Sequence, residues 1–132
     1  MNVYLPFADA FDDPVEPDAP VLDIRAFEEM AGELGEDGAM ELVMIFESDT
    51  RDRLARMAAG GQDLSASARE MHTLKGAAGT VCCPRLAALG FACEQAARCG
   101  TLPRVEDLHT IVAVLDRFMA AVRARNHRQA ER

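Results

Sequence analysis

The chain has 132 residues, 49% hydrophobic and 27% charged, with 14 basic and 22 acidic side chains and a formal net charge of −8. That length suits a single domain with a real apolar core. The acidic balance argues against general nucleic-acid binding, which needs a basic footprint, and against docking on an anionic membrane surface.

Residues 1–20 hold five acids (Asp9, Asp12, Asp13, Glu16, Asp18), no base, and the prolines Pro6, Pro14, Pro17 and Pro20. Such a segment buries too little to offset its ordering entropy, so it reads as an acidic flexible tail. Its aromatic residues Tyr4, Phe7 and Phe11 are candidates for docking on the domain or a partner. Met1 to Phe7 lacks the basic stretch and long apolar core of a signal peptide. Apolar runs inside the domain, such as Leu42–Phe46, are far too short to span a bilayer. A cytoplasmic, monomeric protein is expected.

From residue 21 the pattern is helical. Asp23 caps a short helix reaching about Leu34, with Phe27, Met30 and Ala31 on one stripe. Gly35 and Gly38 bracket a turn. A longer helix runs to about Ala59, with Val43, Phe46, Leu54 and Met57 inward, and Gly60-Gly61 ends it. Asp63 or Ser65 starts a third helix, carrying Leu64, Ala68, Met71, Leu74, Ala78 and Val81 at spacings of three and four. Pro84 suits the first turn of a fourth, whose apolar face is Leu86, Leu89, Cys93 and Ala96 or Ala97, and Gly100 stops it. Pro103 opens the last helix, with Glu106 and Asp107 in its positively polarised first turn. Its apolar face is Leu108, Ile111, Val112, Leu115, Phe118, Met119 and Val122. The arginines Arg123, Arg125, Arg128 and Arg132 complement the dipole and keep a tail over residues 126–132 in solution. Strand signals are nearly absent. The expected fold is all-α: an antiparallel four-helix up-down bundle over residues 21–125, with an additional short N-terminal helix over one end.

The cysteines Cys82, Cys83, Cys93 and Cys99 form no Cys-x-x-Cys pair, and no histidine lies at zinc-finger spacing from them. They read as buried thiols that behave as small hydrophobes, and no metal site is expected.

The third helix carries the unusual feature. His72 lies about 100° around from Met71, which turns it away from the core stripe. Its neighbours on that outer face are Lys75, Gly76 and Gly79. Lys75 is the only lysine, the other thirteen bases being arginine. A glycine inside a helix costs roughly 1 kcal/mol relative to alanine, so two on one exposed face need a reason. Removing side chains beside an imidazole lets another protein's surface approach the ring. A mobile ammonium one turn away neutralises a phosphoryl group, and an exposed, largely uncharged imidazole is a nucleophile. The bland alternatives are a solvated surface histidine and glycines that allow close helix packing. His109 and His127 have no comparable surroundings: the first reads as a helix-surface residue, the second as part of a frayed tail.

The run His72-Thr73-Leu74-Lys75-Gly76-Ala77-Ala78-Gly79 resembles the signature of histidine-containing phosphotransfer (HPt) domains of two-component phosphorelays. Leu86, the stretch from Leu89 to Arg98 with Glu94, and upstream Phe27, Leu34-Gly35, Phe46 and Leu54 extend the resemblance over about residues 21–125. It implies that His72 accepts a phosphoryl group, through Nε2 as is typical of the family, from a receiver-domain aspartate or a sensor kinase and relays it to a response-regulator aspartate. Lys75 would stabilise the phosphoryl charge, and Gly76 would give the receiver room, with Gly79 beside it. The partners would be response-regulator receiver domains and a cognate histidine kinase. The receiver would bring the Mg²⁺, leaving this chain a phosphocarrier without cofactor or turnover of its own. Lys75, Gly79 and Arg85 are candidates for the docking rim. Two departures stand out: Cys82 occupies a position where many members have glycine, and Met71 one where alanine is common. A phosphoacceptor domain of a chemotaxis-type kinase and a non-phosphorylated receiver-binding adaptor are the competing readings. A thiol or metal enzyme would need a cysteine near His72, yet Cys82 lies about 15 Å further along a helix.

Overall fold

The computed structural model describes residues 19–131. Five helices and no strand occur among them: α1 (Ile24–Leu34), α2 (Glu36–Ala58), α3 (Leu64–Thr80), α4 (Pro84–Arg98) and α5 (Val105–Ala130). The all-α expectation holds. The tail expected over residues 1–20 falls outside the described residues except at its end, where Ala19 and Pro20 are pinned. The Arg85 side chain donates to the Ala19 carbonyl at 2.7 Å and the Arg85 N–H to that of Pro20 at 3.3 Å.

The helix starts follow from capping chemistry. Asp23 caps α1 by accepting from the Ala26 N–H at 3.1 Å, and Asp63 caps α3 by accepting from the Ala66 N–H at 2.7 Å. Gly35 and Gly38 do not bracket a turn as expected: α2 begins at Glu36, directly after Gly35. Two acids, Glu36 and Asp37, occupy its first turn, where the helix dipole favours them. Gly38 lies inside α2, where an added Cβ would sit 3.2 Å from Leu34 Cβ, so the glycine lets the two helices join this tightly. Pro103 does not open the last helix either. Its N-cap is Arg104, whose backbone N–H donates to the Asp107 carboxylate at 2.9 Å. At the other end, α5 runs on to Ala130 through the stretch expected as a tail.

The longer helices close a ring. Helix α2 packs on α3 and α5, α4 packs on α5, and the closest pairing is α3 with α4. Phe27, Val43, Met71, Leu74, Leu86, Leu89, Ile111, Leu115 and Phe118 are all buried at the centre. Each such side chain contributes about 1.5–3 kcal/mol relative to exposure. Phe46 meets Phe118 edge-on, with ring centroids 5.8 Å apart. Leu64, expected inward, is exposed at the first position of α3.

Where α3 ends, Cys82 takes a left-handed conformation (φ 70°) and Cys83 N–H reaches back to the Ala78 carbonyl at 2.9 Å. This is a glycine-type helix stop carried by a residue with a Cβ, which is strained. The Cys82 carbonyl then accepts from Asp23 N–H at 2.9 Å, tying the start of α1 to the α3–α4 connection.

Candidate functional site

Helix α3 buries Met71, Leu74 and Ala78 and turns His72, Thr73, Gly76 and Gly79 outward, with Lys75 half-buried. The His72 side chain is 62% exposed. A Cβ built on Gly76 or Gly79 would meet nothing within 4 Å. Neither glycine serves internal packing, so the alternative reading of close helix contact fails for both.

The packing glycine of the site is Gly90, which the sequence alone did not single out. A Cβ there would lie 3.0 Å from Lys75 N and 3.2 Å from the Met71 carbonyl oxygen. Only a residue without a Cβ lets the α4 backbone come this close to α3, at the level of His72 and Lys75. One turn beyond Gly90, Glu94 projects into the seam with its side chain 5% exposed.

Glu94 gathers three donors. His72 Nδ1 lies 3.0 Å from Oε2. The Arg98 guanidinium donates to the same oxygen from Nη2 at 2.8 Å and Nε at 3.3 Å. Lys75 Nζ stands 3.1 Å from Oε1 as an ion pair without hydrogen-bond alignment, leaving Oε1 with no hydrogen-bond donor. The same ammonium sits 5.4 Å from the centroid of the Phe91 ring.

Burial on its own would raise the Glu94 carboxyl, but the Arg98 hydrogen bonds, the Lys75 ammonium beside it and the His72 contact outweigh it and hold the group down at about 2. An ionised carboxylate only accepts hydrogen bonds. The proton of the His72–Glu94 bond therefore sits on Nδ1, so in the neutral ring the lone pair is on Nε2. The carboxylate fixes the tautomer and orientation of a solvent-facing imidazole, the arrangement an activated nitrogen nucleophile requires.

Beside this face, a groove of about 260 Å³ runs between α2 and α3, lined in part by Leu42, Ile45, Thr50, Thr73, Ala77 and Thr80. Ile45 is more than half exposed at its α2 side. The open glycines of α3 and this apolar rim lie on neighbouring strips of surface.

The structure thus unites His72 and Lys75 with Glu94, Arg98, Phe91 and Gly90, and leaves other candidates elsewhere. Arg85, half-buried, anchors Ala19 and Pro20 more than two helical turns from Glu94. Arg125 is the clearest correction. Read as complementing the helix dipole and keeping the tail in solution, it is instead buried to 2% exposure and holds Glu28 and Glu36. His109 is exposed on α5. His127 is helical and not frayed, 3.7 Å from Glu131. Cys82, Cys83 and Cys93 are buried, and burial pushes the Cys83 thiol up to about 12. Cys99 is exposed, contrary to the buried reading of all four. Among the described residues, no group of three or more His, Cys, Asp or Glu is placed to hold a metal.

The helical module thus presents a tautomer-fixed imidazole on an open face, with a cation beside it. The Hpt domain family model matches residues 41–125, and the chain belongs to that family of histidine phosphotransfer modules of two-component phosphorelays. Helix α1 lies outside the matched stretch. No curated protein and no solved structure matches the chain. Hpt domains are phosphocarriers that interact with receiver domains and kinases, and their chemistry passes through phosphohistidine. No helix among the described residues is long and apolar enough to cross a membrane.

Proposed function

We propose that His72 takes a phosphoryl group on Nε2 from the aspartyl phosphate of one receiver domain, or from a kinase, and passes it to the aspartate of another. The observation that carries this reading is the Nδ1 contact with the ionised, buried Glu94 carboxylate. In the receiver reaction the Nε2 lone pair attacks phosphorus, the P–O bond to the aspartate breaks, and the carboxylate leaves. A neutral imidazole that bonds through Nε2 while keeping Nδ1–H becomes cationic, and Glu94 stabilises that developing charge. Lys75 neutralises the incoming phosphoryl oxygens. The receiver supplies its own aspartate and Mg²⁺.

Gly76 and Gly79 clear the approach, and the α2–α3 groove with Leu42 and Ile45 gives the receiver an apolar seat, rim charges tuning rate and partner choice. The four longer helices alternate up and down, which sets α3 and α4 side by side to make the site. The protein acts as a cytoplasmic monomer.

Intact mass after incubation with a phosphorylated receiver tests the reading. Wild type gains one acid-labile phosphoryl group and His72→Gln gains none, with helicity and melting temperature nearly unchanged because the ring is exposed. No gain from several competent receivers would contradict the carrier function and favour the adaptor.

A further inference from the structure

Glu94 carries two cations, Lys75 and Arg98, and they are not held alike. Arg98 makes two aligned hydrogen bonds to Oε2. Lys75 makes an unaligned ion pair to Oε1 and leans on the Phe91 ring. A carboxylate this deeply buried cannot stand without a counter-charge: an isolated ionised group in such a place is strongly disfavoured. If Lys75 were its sole permanent cation, drawing the ammonium toward a phosphoryl group would leave Glu94 with only the charge developing on the His72 ring.

We propose that Arg98 is a positioning residue for phosphoryl transfer: it is the standing counter-charge of Glu94, and it frees Lys75 to move from Glu94 to the phosphoryl oxygens. The inference rests on the carrier reading of His72. Arg98 is well suited to the standing role. Its guanidinium is always charged and rigidly forked, whereas a lysine ammonium is a mobile point charge. At i+4 from Glu94 on the same helix, it stays beside the carboxylate whatever docks on α3. Its side chain is 55% exposed, along an open recess shared with Ser65, Arg69 and Cys99, so replacing it leaves no hole in the core.

The charge count follows. With a neutral imidazole, Glu94, Lys75 and Arg98 sum to one positive charge facing solvent. Phosphorylation puts about two negative charges on the phosphoryl oxygens and one positive charge on the ring, which keeps Nδ1–H. Lys75 then serves the phosphoryl group while Arg98 keeps Glu94 ionised and bonded to Nδ1–H. Without Arg98 the carboxylate and the phosphoryl group share one permanent cation, Lys75, and the ring charge alone faces Glu94 when the ammonium moves.

The test uses the full chain and phosphoramidate, whose P–N bond breaks to release ammonia as the His72 N–P bond forms, so no receiver surface is involved. Arg98→Ala should accept phosphoryl about tenfold more slowly, and Arg98→Lys should recover to within about threefold of wild type. Lys75→Ala should slow the wild type by about tenfold but cost a different factor in the Arg98→Ala background, because the two cations share one carboxylate. Phosphorylation should also lower the melting temperature of Arg98→Ala by more than that of wild type, a readout that a merely structural arginine would not move. Equal rates for Arg98→Ala and wild type, with independent Lys75 and Arg98 effects, would overturn the inference alone. A wild type that takes no phosphoryl group on His72 would take down the carrier reading and this inference with it.

Discussion

Two buried charges sit in different parts of this bundle, and their surroundings are inverted. In the α3–α4 seam a buried acid, Glu94, is ringed by half-exposed or exposed donors, one of them an imidazole. Against α1 and the start of α2 a buried base, Arg125, is held by Glu28 and Glu36, which are 44% and 56% exposed. Arg125 also stacks 5.0 Å from the centroid of the Phe27 ring. Both satisfy the rule that a buried charge is paired. Only the first hands its interaction on to a group that can react. Around Arg125 the charged partners are spectator carboxylates, and the cluster fastens α1 and α2 to α5. Around Glu94 the partner is a solvent-facing nucleophile with open glycines beside it. A compensated buried charge is thus no marker of function by itself; what it orients decides.

The sharpest way to break this contrast is to remove each central charge. Glu94→Ala frees the imidazole to choose either tautomer and removes the stabiliser of ring charge, so phosphoryl acceptance should fall by about 10²-fold. Arg125→Ala should leave acceptance at the wild-type rate. It should cost about 2 kcal/mol of stability in denaturant titration, because its two acids return to water while their charged hydrogen bonds are lost. Equal effects of both substitutions on acceptance would erase the distinction.

The glycines sharpen it next. Gly90→Ala drives a Cβ against the backbone of Lys75 and the carbonyl of Met71. It should cost about 1–3 kcal/mol and weaken acceptance by prising α4 from α3. Gly76→Ala meets open space and should stabilise the helix by up to about 1 kcal/mol while slowing transfer from a receiver. The opposite signs are measurable in one set of melting curves.

Acid titration gives the smallest effect. The Glu94 carboxyl is held below its ordinary value, so its stabilising contribution is complete above about pH 4.5 and is lost as pH falls through about 2. Hydrogen bonding to Arg125 lowers Glu36 as well, but that carboxylate is largely exposed and water screens its contribution. Between pH 5 and 2, Glu94→Gln should therefore flatten the stability curve more than Glu36→Gln, as measured by the denaturation midpoint.

The sequence made α3 legible because everything needed lies within two turns of one helix. The spacing of Met71, His72, Lys75, Gly76 and Gly79 fixes which of them share a face. The partners from α4 were harder, since helix spacing does not say which residue of one helix meets which of another. Signals existed nonetheless. Glu94 falls among the buried positions Leu86, Leu89, Gly90, Cys93 and Ala97, and Arg125 continues the apolar stripe Ile111, Leu115, Phe118, Val122. A lone charge on an apolar stripe is the trace of a buried ion pair, whereas the sequence places Glu94 only within the resembling stretch and groups Arg125 with the tail arginines. The early start of α2 was likewise written in Glu36 and Asp37, whose favourable place in the first turn outweighs the glycine at position 38. Cys82 shows the reverse case, a left-handed helix stop that the usual glycine would have announced.

The most direct test of the central claim is where the phosphoryl group sits on the His72 ring, read by ¹⁵N-edited NMR of the phosphorylated protein. Because Glu94 holds the Nδ1 proton, the account predicts an Nε2-phosphohistidine that retains Nδ1–H. Phosphate on Nδ1, or an unphosphorylated ring with its proton on Nε2, would contradict it.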